Sequence, residues 1–201
     1  MDALSLDDLM PLEEFAARRR EFLADHLRYL DRYRRVRLGP RATLVFENRQ
    51  TAWFRLQEVL RVARLSDPTL VRLELELFNH LLPRGDRLQA ALVLHVEEAR
   101  LAEELAPWQE LRGDQLVLHV GAARHPANLL TCRPEDRCVG TAHWVQFVLD
   151  GAAQTALGQR QVSAHLSVHL PGYAHDSGPL SDDVRRSLIE DLELGARDAA
   201  A

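Results

Sequence analysis

The sequence predicts an α+β fold, with helices in the first part of the chain and strands in the second. Apolar residues recur at helical spacing through residues 1–82, except over 35–47, where they alternate. From residue 83 on, short apolar stretches are separated by turns that contain Gly or Pro. Segregation of this kind favours α+β over a regular α/β alternation. We therefore expect a single domain over residues 1–195, with a helix-rich half over residues 1–82, a sheet half over residues 83–195 and a frayed tail over residues 196–201.

In the helix-rich half, capping signals and periodicity predict two helices followed by a hairpin. Ser5 can cap a short first helix, and the apolar spacing then predicts a long helix over residues 12–34. The stretch RRVRLGPRATLVFEN alternates on both sides of Gly39-Pro40, which predicts a β-hairpin over residues 35–47.

Two more helices are expected before the sheet half begins. Thr51 can cap a helix over residues 52–65, whose apolar stripe would face inward. Asp67 followed by Pro68 is an N-cap with a proline at the first helical position, which predicts a helix that ends near Leu82.

The sheet half should contain a mainly antiparallel sheet of about four strands, with short helices and a C-terminal helix capped by Ser181. Short helices are predicted in EEARLAEELAPWQEL and GAAQTALGQ. The stretches with the pattern of strands are RLQAALVLHVEE, DQLVLHVGAAR, TAHWVQFVLD and RQVSAHLSVHL.

Composition excludes several classes of protein. The chain has 201 residues, 46% of them apolar, which is enough to bury a sizeable core. All 25 basic residues are Arg, which excludes a Schiff-base lysine and a P-loop lysine. The net charge of −5 argues against general nucleic-acid binding. No apolar run approaches the roughly 18 residues of a membrane span, and the acidic N-terminus is unlike a signal peptide. We expect a cytoplasmic protein that binds neither nucleic acid nor membrane.

Basic residues are concentrated in residues 18–41, which we call the Arg-rich stripe. It contains nine Arg against three acidic residues, whereas residues 97–114 and 182–198 are acid-rich. A stripe of this kind could dock an acidic partner or an anion. The alternative is a solvated helix face whose charges are balanced by neighbouring acids.

The two cysteines, Cys132 and Cys138, fit no common zinc or redox spacing. A cytoplasmic chain would not keep a disulfide between them. We interpret them as two loop thiols, with a redox-active pair as the alternative.

Nine histidines raise the question of a metal site. Several His, or His with Glu, would have to converge across strands to bind iron, zinc or manganese. His143 and His169, with a carboxylate such as Glu47 or Glu58, are the candidate ligands. For each histidine the alternative is a hydrogen-bonded core residue or a solvent-facing strand residue.

The stretch FENRQTAWFRLQEVLR, residues 46–61, places many hydrogen-bonding groups at a strand-to-helix junction. We predict that Glu47, Arg49, Gln57 and Glu58 surround a cleft between the hairpin and the following helix. The alternative is surface pairing, because Glu58 and Arg61 are three residues apart on one helix face.

Four blocks of the sequence occur in the order and spacing of one bacterial family: RRVRLGPRATLVFENRQTAWFRLQEVLR, ELFNHLLPRGDRLQAALVLHVE, AHWVQFVL and HLPGYAH. On these blocks the chain resembles the bacterial domain-of-unknown-function family 3501 over residues 4 to 192. Members usually end the last strand with Asp-His-Pro-x-Tyr, whereas the stretch from Val168 to Tyr173 has an extra residue and no aspartate. The resemblance implies a helper of rubrerythrin-like or iron–sulfur oxidoreductase proteins in peroxide or iron redox metabolism. The polar positions that match family motifs are Glu47, Arg49, Thr51, Gln57, Glu58, Arg61, Asn79, His143, His169 and Tyr173.

Three functions remain open. The first is a binding or adaptor protein that contacts an acidic or redox partner through the Arg-rich stripe or the polar cleft. The second is a metal-dependent oxidoreductase or hydrolase that uses the histidines. The third is a small-ligand binding domain in which Arg49 or Arg61 holds an anionic group bidentately. The sequence ranks the adaptor first, and leaves open whether the protein is an enzyme and whether it forms a homodimer.

Overall fold

The structure, a computed structural model that describes residues 2–131 and 141–199, confirms the α+β class. Within these residues there are six helices and nine strands. The helices are α1 (Leu12–Tyr33), α2 (Arg49–Ala63), α3 (Pro68–Asn79), α4 (Leu101–Leu105), α5 (Gly151–Gly158) and α6 (Asp182–Ala199). The strands are β1 (Arg35–Leu38), β2 (Ala42–Phe46), β3 (Arg87–Leu94), β4 (Leu116–Val120), β5 (Ala123–Pro126), β6 (Asn128–Leu129), β7 (Ala142–Val148), β8 (Ala164–Leu170) and β9 (Tyr173–Pro179).

The strands form two antiparallel sheets rather than one. Sheet A has the order β1-β2-β3-β7-β6, and sheet B has the order β5-β4-β8-β9. The predicted hairpin is confirmed as β1 and β2, and β3 extends its sheet. The sequence missed β5, β6 and β9, because β6 has two residues and the other two strands have almost no buried positions.

Apolar residues on the inner faces of the two sheets pack into the main core. Along β2, Ala42, Leu44 and Phe46 point into this core, which contains residues from both sheets. Thr43 and Val45 point the other way, yet they too are buried, because helices cover the outer face of sheet A. Because both faces of β2 are buried, a shift of one residue in its pairing would move side chains to the wrong face on both sides, so its register is strongly specified.

A second apolar cluster joins the N-terminal segment, α2 and α3. It is built from Leu4, Ala52, Leu56, Leu60, Val71, Leu75 and Leu82. The residues of α2 follow the helical spacing that the sequence predicts. This cluster fixes one side of α2, and the opposite side packs against α1.

The N-cap of α2 is Asn48, not Thr51 as predicted. The Asn48 side chain accepts a hydrogen bond from the Thr51 backbone N–H at 3.1 Å, and the Thr51 hydroxyl accepts one from the Asn48 N–H at 2.9 Å. This reciprocal pair is a capping box, in which Thr51 occupies the third helical position. Both residues can cap a helix, so the sequence left the boundary uncertain by three residues.

At the C-terminal end of α5, the buried guanidinium of Arg185 from α6 supplies the hydrogen-bond donors that a further turn of helix would have provided. It donates hydrogen bonds to the carbonyls of Leu157 at 2.7 Å, Gln159 at 2.7 Å and Val162 at 2.7 Å. The last carbonyls of a helix lack partners within the helix, and a cation there also complements the helix dipole. Arg185 therefore joins α5 to α6.

A buried ion pair joins α6 to the end of α1. The guanidinium of Arg34, which is 2% exposed, binds both carboxylate oxygens of Asp191, with one N–O distance of 3.2 Å. Tyr29 accepts two further hydrogen bonds from Arg34 and one from the side chain of Asn48. This network positions the start of α2 against α1 and α6.

Among the helices that the structure describes, none is both long enough and apolar enough to span a membrane.

Candidate functional site

Most of the polar residues predicted around a cleft instead hold other regions of the fold together. The Arg49 side chain donates to the Asp8 carboxylate at 2.6 Å and to the Asp2 carbonyl at 3.2 Å. The hydrogen bond from Arg49 lowers the pKa of Asp8. Trp53 also donates, to the Asp8 carbonyl at 2.8 Å. Arg49 therefore ties the N-terminal segment to α2.

Two other candidates bind the same segment. The side-chain amide of Asn79 donates to the Leu4 carbonyl at 2.9 Å, and its oxygen accepts from the Leu4 N–H at 2.7 Å. The Gln57 amide donates to the Met10 carbonyl at 3.3 Å. We call residues 2–11, held by these contacts, the N-terminal strap.

Glu58 and Arg61 form a charge cluster at the surface between α1 and α2. Both oxygens of Glu58 accept hydrogen bonds from Arg19 of α1, at 2.9 to 3.1 Å, and both also accept from Arg61. Partial burial opposes ionisation, but these two arginines outweigh it and lower the pKa of Glu58. The cluster attaches α2 to α1.

Glu47 is the predicted candidate that does lie beside a cleft. Its carboxylate is 1% exposed and lies 2.8 Å from the guanidinium of Arg55. The Thr51 hydroxyl donates to it at 2.6 Å. Burial raises the pKa of Glu47, while Arg55, Thr51 and Arg34 act in the opposite direction. A buried carboxylate with few partners is costly, which makes this position a candidate functional site.

The cleft itself is a cavity of about 500 Å³ on the outer face of sheet A, which we call the cationic pocket. It opens between the β1–β2 hairpin, β3, α1 and α2. Its volume falls within the range of small-molecule sites. The residues that line it are Leu30, Arg35, Arg37, Gly39, Pro40, Thr43, Val45, Arg55, Val93 and His95.

Strand alternation builds this pocket. Arg35 pairs with Val45 across the hairpin, and Arg37 pairs with Thr43, so all four side chains point to the outer face. Thr43 in turn pairs with Val93 on β3. The floor of the pocket is thus apolar at Val45 and Val93, with guanidinium groups beside it.

The charges of the pocket are only partly balanced. Arg35 pairs with Asp31, which is largely exposed, and Arg55 pairs with the buried Glu47. Arg37 has no ion-pair partner among the residues that the structure describes. Three guanidinium groups therefore face two carboxylates, which leaves a net positive charge in a partly enclosed cavity.

Neutral hydrogen-bonding groups and a ring stack complete the pocket. The Thr43 hydroxyl and the His95 Nε2 are 2.7 Å apart and share a hydrogen bond. The guanidinium carbon of Arg55 lies 5.1 Å from the centre of the Trp144 ring, which restricts where this side chain can point.

Tyr173, another predicted candidate, positions the tip of the hairpin. Its hydroxyl donates to the Leu38 carbonyl and accepts from the Arg41 N–H at 3.1 Å. Gly39, at φ +73°, lies under the ring of His175, where a Cβ atom would be 2.5 Å from the ring. Both contacts attach the hairpin of sheet A to β9 of sheet B.

The predicted metal ligands lie on different sheets. His143 is buried on β7 of sheet A, opposite Leu92, and its face is the inner one. His169 is exposed on β8 of sheet B, 3.8 Å from Asp176. Across residues 2–131 and 141–199, no group of three or more His, Cys, Asp or Glu is arranged to hold a metal ion. Cys132 and Cys138 lie outside the described residues.

Many arginines of the Arg-rich stripe have acidic neighbours. Besides the pairs already described, Arg18 pairs with Glu21, Arg28 with Asp25, and Arg32 with Asp183 of α6. Each of these pairs lies at the surface, where ion pairs contribute little to stability. Much of the stripe is therefore charge-balanced, and Arg37, which has no such partner among the described residues, lines the cationic pocket.

The sequence does contain a signal for the pocket, beside the junction on which the predicted cleft was centred. The motif Arg35-Val36-Arg37 puts two guanidinium groups on one face of a strand, and Thr43 continues that face on the next strand. The contribution of Arg55 could not be foreseen, because it depends on how α2 packs across the hairpin.

Comparison with known proteins gives a family and a fold. A family model described as a protein of unknown function (DUF3501) matches residues 3–192. A crystal structure of a novel protein of unknown function from Burkholderia pseudomallei K96243 is 26% identical, with a TM-score of 0.85. The alignment covers 95% of this chain and 100% of that chain. No curated protein matches the chain.

Proposed function

Since this chain belongs to the DUF3501 family, whose description names no activity, we propose from its own geometry that it binds a small anionic ligand in the cationic pocket. The observation that carries this proposal is the grouping of Arg35, Arg37 and Arg55 around a cavity of about 500 Å³. The arginines proposed from sequence, Arg49 and Arg61, bind Asp8 and Glu58 instead.

The chemistry of the lining supports an anion over a neutral ligand. A guanidinium is planar and presents paired N–H donors that match a carboxylate or a phosphate. Arg35 and Arg37 lie on neighbouring positions of one strand face, and Arg55 approaches from α2. An anion between them would gain charge-assisted hydrogen bonds in a site that is partly shielded from water.

A thermal-shift screen with carboxylates, phosphates and sulfonates tests this proposal. A ligand that binds only the folded protein raises the unfolding temperature by an amount that grows with its concentration relative to Kd. We expect stabilisation of the wild type, and its loss in Arg37→Ala and Arg55→Ala.

Arg28→Ala is the matched control, because it removes an exposed arginine of α1 outside the pocket. This variant should respond as the wild type does. An equal response of Arg37→Ala and the wild type to the same ligand would contradict the pocket as the site. The absence of any response across the screen would contradict the function.

The association with redox or iron proteins that the family resemblance implies stays a prediction. A pull-down with rubrerythrin-like and iron–sulfur partners tests it, with a triple Ala variant of Arg28, Arg32 and Arg35 as the comparison. A charged surface contact would weaken as salt rises. Equal binding by the triple variant and the parent would contradict docking through the Arg-rich stripe.

A further inference from the structure

Glu47 is a buried carboxylate placed directly behind the cationic pocket. Strand alternation continues from Thr43 and Val45 to Glu47, so its side chain points to the face on which the pocket lies. One oxygen accepts the hydrogen bond from Thr51. The other, Oε1, is near Arg55 but has no hydrogen-bond partner among the described residues. Oε1 is therefore the oxygen that can take a proton without loss of the hydrogen bond from Thr51.

Arg55 serves Glu47 and the pocket together. Its guanidinium is the near counter-charge of the carboxylate, and the same side chain lines the cavity and is 26% exposed. An anion bound in the pocket would also interact with the Arg55 guanidinium, and this would weaken the stabilisation that Arg55 gives to the Glu47 carboxylate. The anion would also add a negative charge near Glu47. Water cannot replace the lost stabilisation, because the carboxylate is enclosed.

Of the two cations that act on Glu47, Arg55 is the one that also lines the pocket. The charged and titratable groups around Glu47 and Arg55 come from α1, α2, α6 and β1. Arg34 acts on Glu47 from the end of α1, but it is already bound to Asp191. The groups in question are Arg55, Arg34, Asp191, Tyr29, Arg35 and His26.

We propose that the cationic pocket binds an organic anion together with a proton, and that the proton goes to the carboxylate of Glu47. This inference rests on the proposed function. The apolar lining of Leu30, Val45 and Val93 favours an organic body over a bare inorganic ion. In the transfer, the O–H bond of hydronium is replaced by an O–H bond on Glu47, and no oxidant or reductant takes part.

The probe for this linkage is 8-anilinonaphthalene-1-sulfonate, an amphipathic anion whose fluorescence rises in apolar sites. Its sulfonate stays ionised between about pH 5.5 and pH 8, so a change of affinity with pH originates in the protein. We expect the affinity of the wild type to rise as pH falls, by up to about tenfold per pH unit. Glu47→Gln keeps the shape of the side chain and should abolish this dependence.

Two variants control for other titrating groups. His95→Gln and His26→Gln should keep the pH dependence, because neither removes Glu47. Arg37→Ala should weaken binding at every pH, which assigns the signal to the pocket rather than to another apolar surface. An affinity of Arg37→Ala equal to that of the wild type would overturn the proposal.

Proton uptake by the wild type can also be measured directly in weakly buffered solution, so the test does not depend on whether Glu47→Gln folds. We expect up to about one proton per bound sulfonate at pH values between the pKa of Glu47 in the free protein and its higher pKa in the complex. Binding that is lost in Arg37→Ala but involves no proton uptake would overturn the proton linkage and leave the proposed function intact. A wild type that fails to bind the probe at any pH would contradict the pocket as an organic-anion site, and this inference with it.

Discussion

His26 is a core histidine that the fold keeps neutral. Its ring stacks on Phe54 with 4.1 Å between the ring centres, and its Nδ1 is buried without a hydrogen-bond partner among the described residues. Burial, and then the charges of Arg55 and Arg35, lower the pKa of His26 from 6.5 to about 4. The cations that make the pocket attractive to anions thus disfavour a further positive charge beside it.

We expect this residue to make the protein less stable as pH falls. Between pH 6.5 and about 4 the unfolded chain binds a proton at this position and the folded protein does not. The free energy of unfolding should therefore decrease as pH is lowered through this window, by on the order of 3 kcal/mol. Urea denaturation at successive pH values measures it.

The variant His26→Gln isolates this contribution. Burial raises the pKa of Glu47 and of Asp191, which gives them the opposite sign, so the difference between wild type and variant is the relevant quantity. That difference should depend on pH for His26→Gln, and His80→Gln, which alters an exposed histidine, is the comparison. A flat difference for both would contradict the assignment.

For individual residues, the sequence revealed which polar side chains make specific contacts but not which groups they contact. Glu47, Arg49, Gln57, Asn79 and Tyr173 all make specific side-chain contacts, but most of these contacts stabilise the fold. Their partners are distant along the chain, as with Asn79 and Leu4. The identity of a polar residue carries no information on such distances, whereas strand alternation does place neighbours such as Arg37 and Thr43.

Among the elements, α5 depends on a side chain from another helix. It has only eight residues, too few for stability on its own, and ends at a turn whose carbonyls point inward. Arg185 satisfies those carbonyls from α6, although the two helices are separated in sequence by β8 and β9. The joint between α5 and α6 is therefore expected to unfold as one unit.

Arg185→Met should destabilise the protein by about 3 kcal/mol, because it leaves several buried carbonyls without donors while keeping most of the side-chain volume. Urea unfolding gives the magnitude. Arg186→Met is the matched control, since Arg186 is exposed and its acidic neighbour is 4.0 Å away. It should change stability by less than about 0.5 kcal/mol. Equal losses in the two variants would contradict the role of Arg185.

Elements with strong periodicity were predicted well, and the others were not. The long helix α1 follows from apolar spacing, and the β1–β2 hairpin follows from alternation on both sides of Gly39-Pro40. β9, with the sequence YAHDSGP, has a single buried residue and is a strand because it pairs with β8. Pairing of that kind is a tertiary effect, which a single sequence shows only weakly.

In the whole molecule, the first and last long helices meet at one ion pair. Arg34 follows the first long helix and Asp191 lies in the last, and both are 2% exposed. Burial of two charges is compensated only while both are present. The Tyr29 hydroxyl accepts hydrogen bonds from Arg34 and from the side chain of Asn48. The packing of α1, α2 and α6 therefore depends on this ion pair.

Asp191→Asn should reduce the free energy of unfolding by on the order of 3–5 kcal/mol, because it leaves the Arg34 charge buried without a counter-charge. Denaturant unfolding followed by circular dichroism measures this loss. Asp25→Asn breaks an exposed pair with Arg28 and should cost less than about 1 kcal/mol. A small loss for Asp191→Asn would show that Tyr29 or solvent compensates Arg34.

The contact between Gly39 and His175 also has a consequence for how this fold can change during evolution. A ring at position 175 leaves no room for a side chain at position 39, and the left-handed φ of +73° independently favours glycine there. The substitutions that one of these positions tolerates therefore depend on the residue at the other. A lineage that replaces His175 with a small residue could exchange Gly39 for asparagine, whereas the reverse order of substitutions would pass through an intermediate in which the side chain at position 39 clashes with the His175 ring.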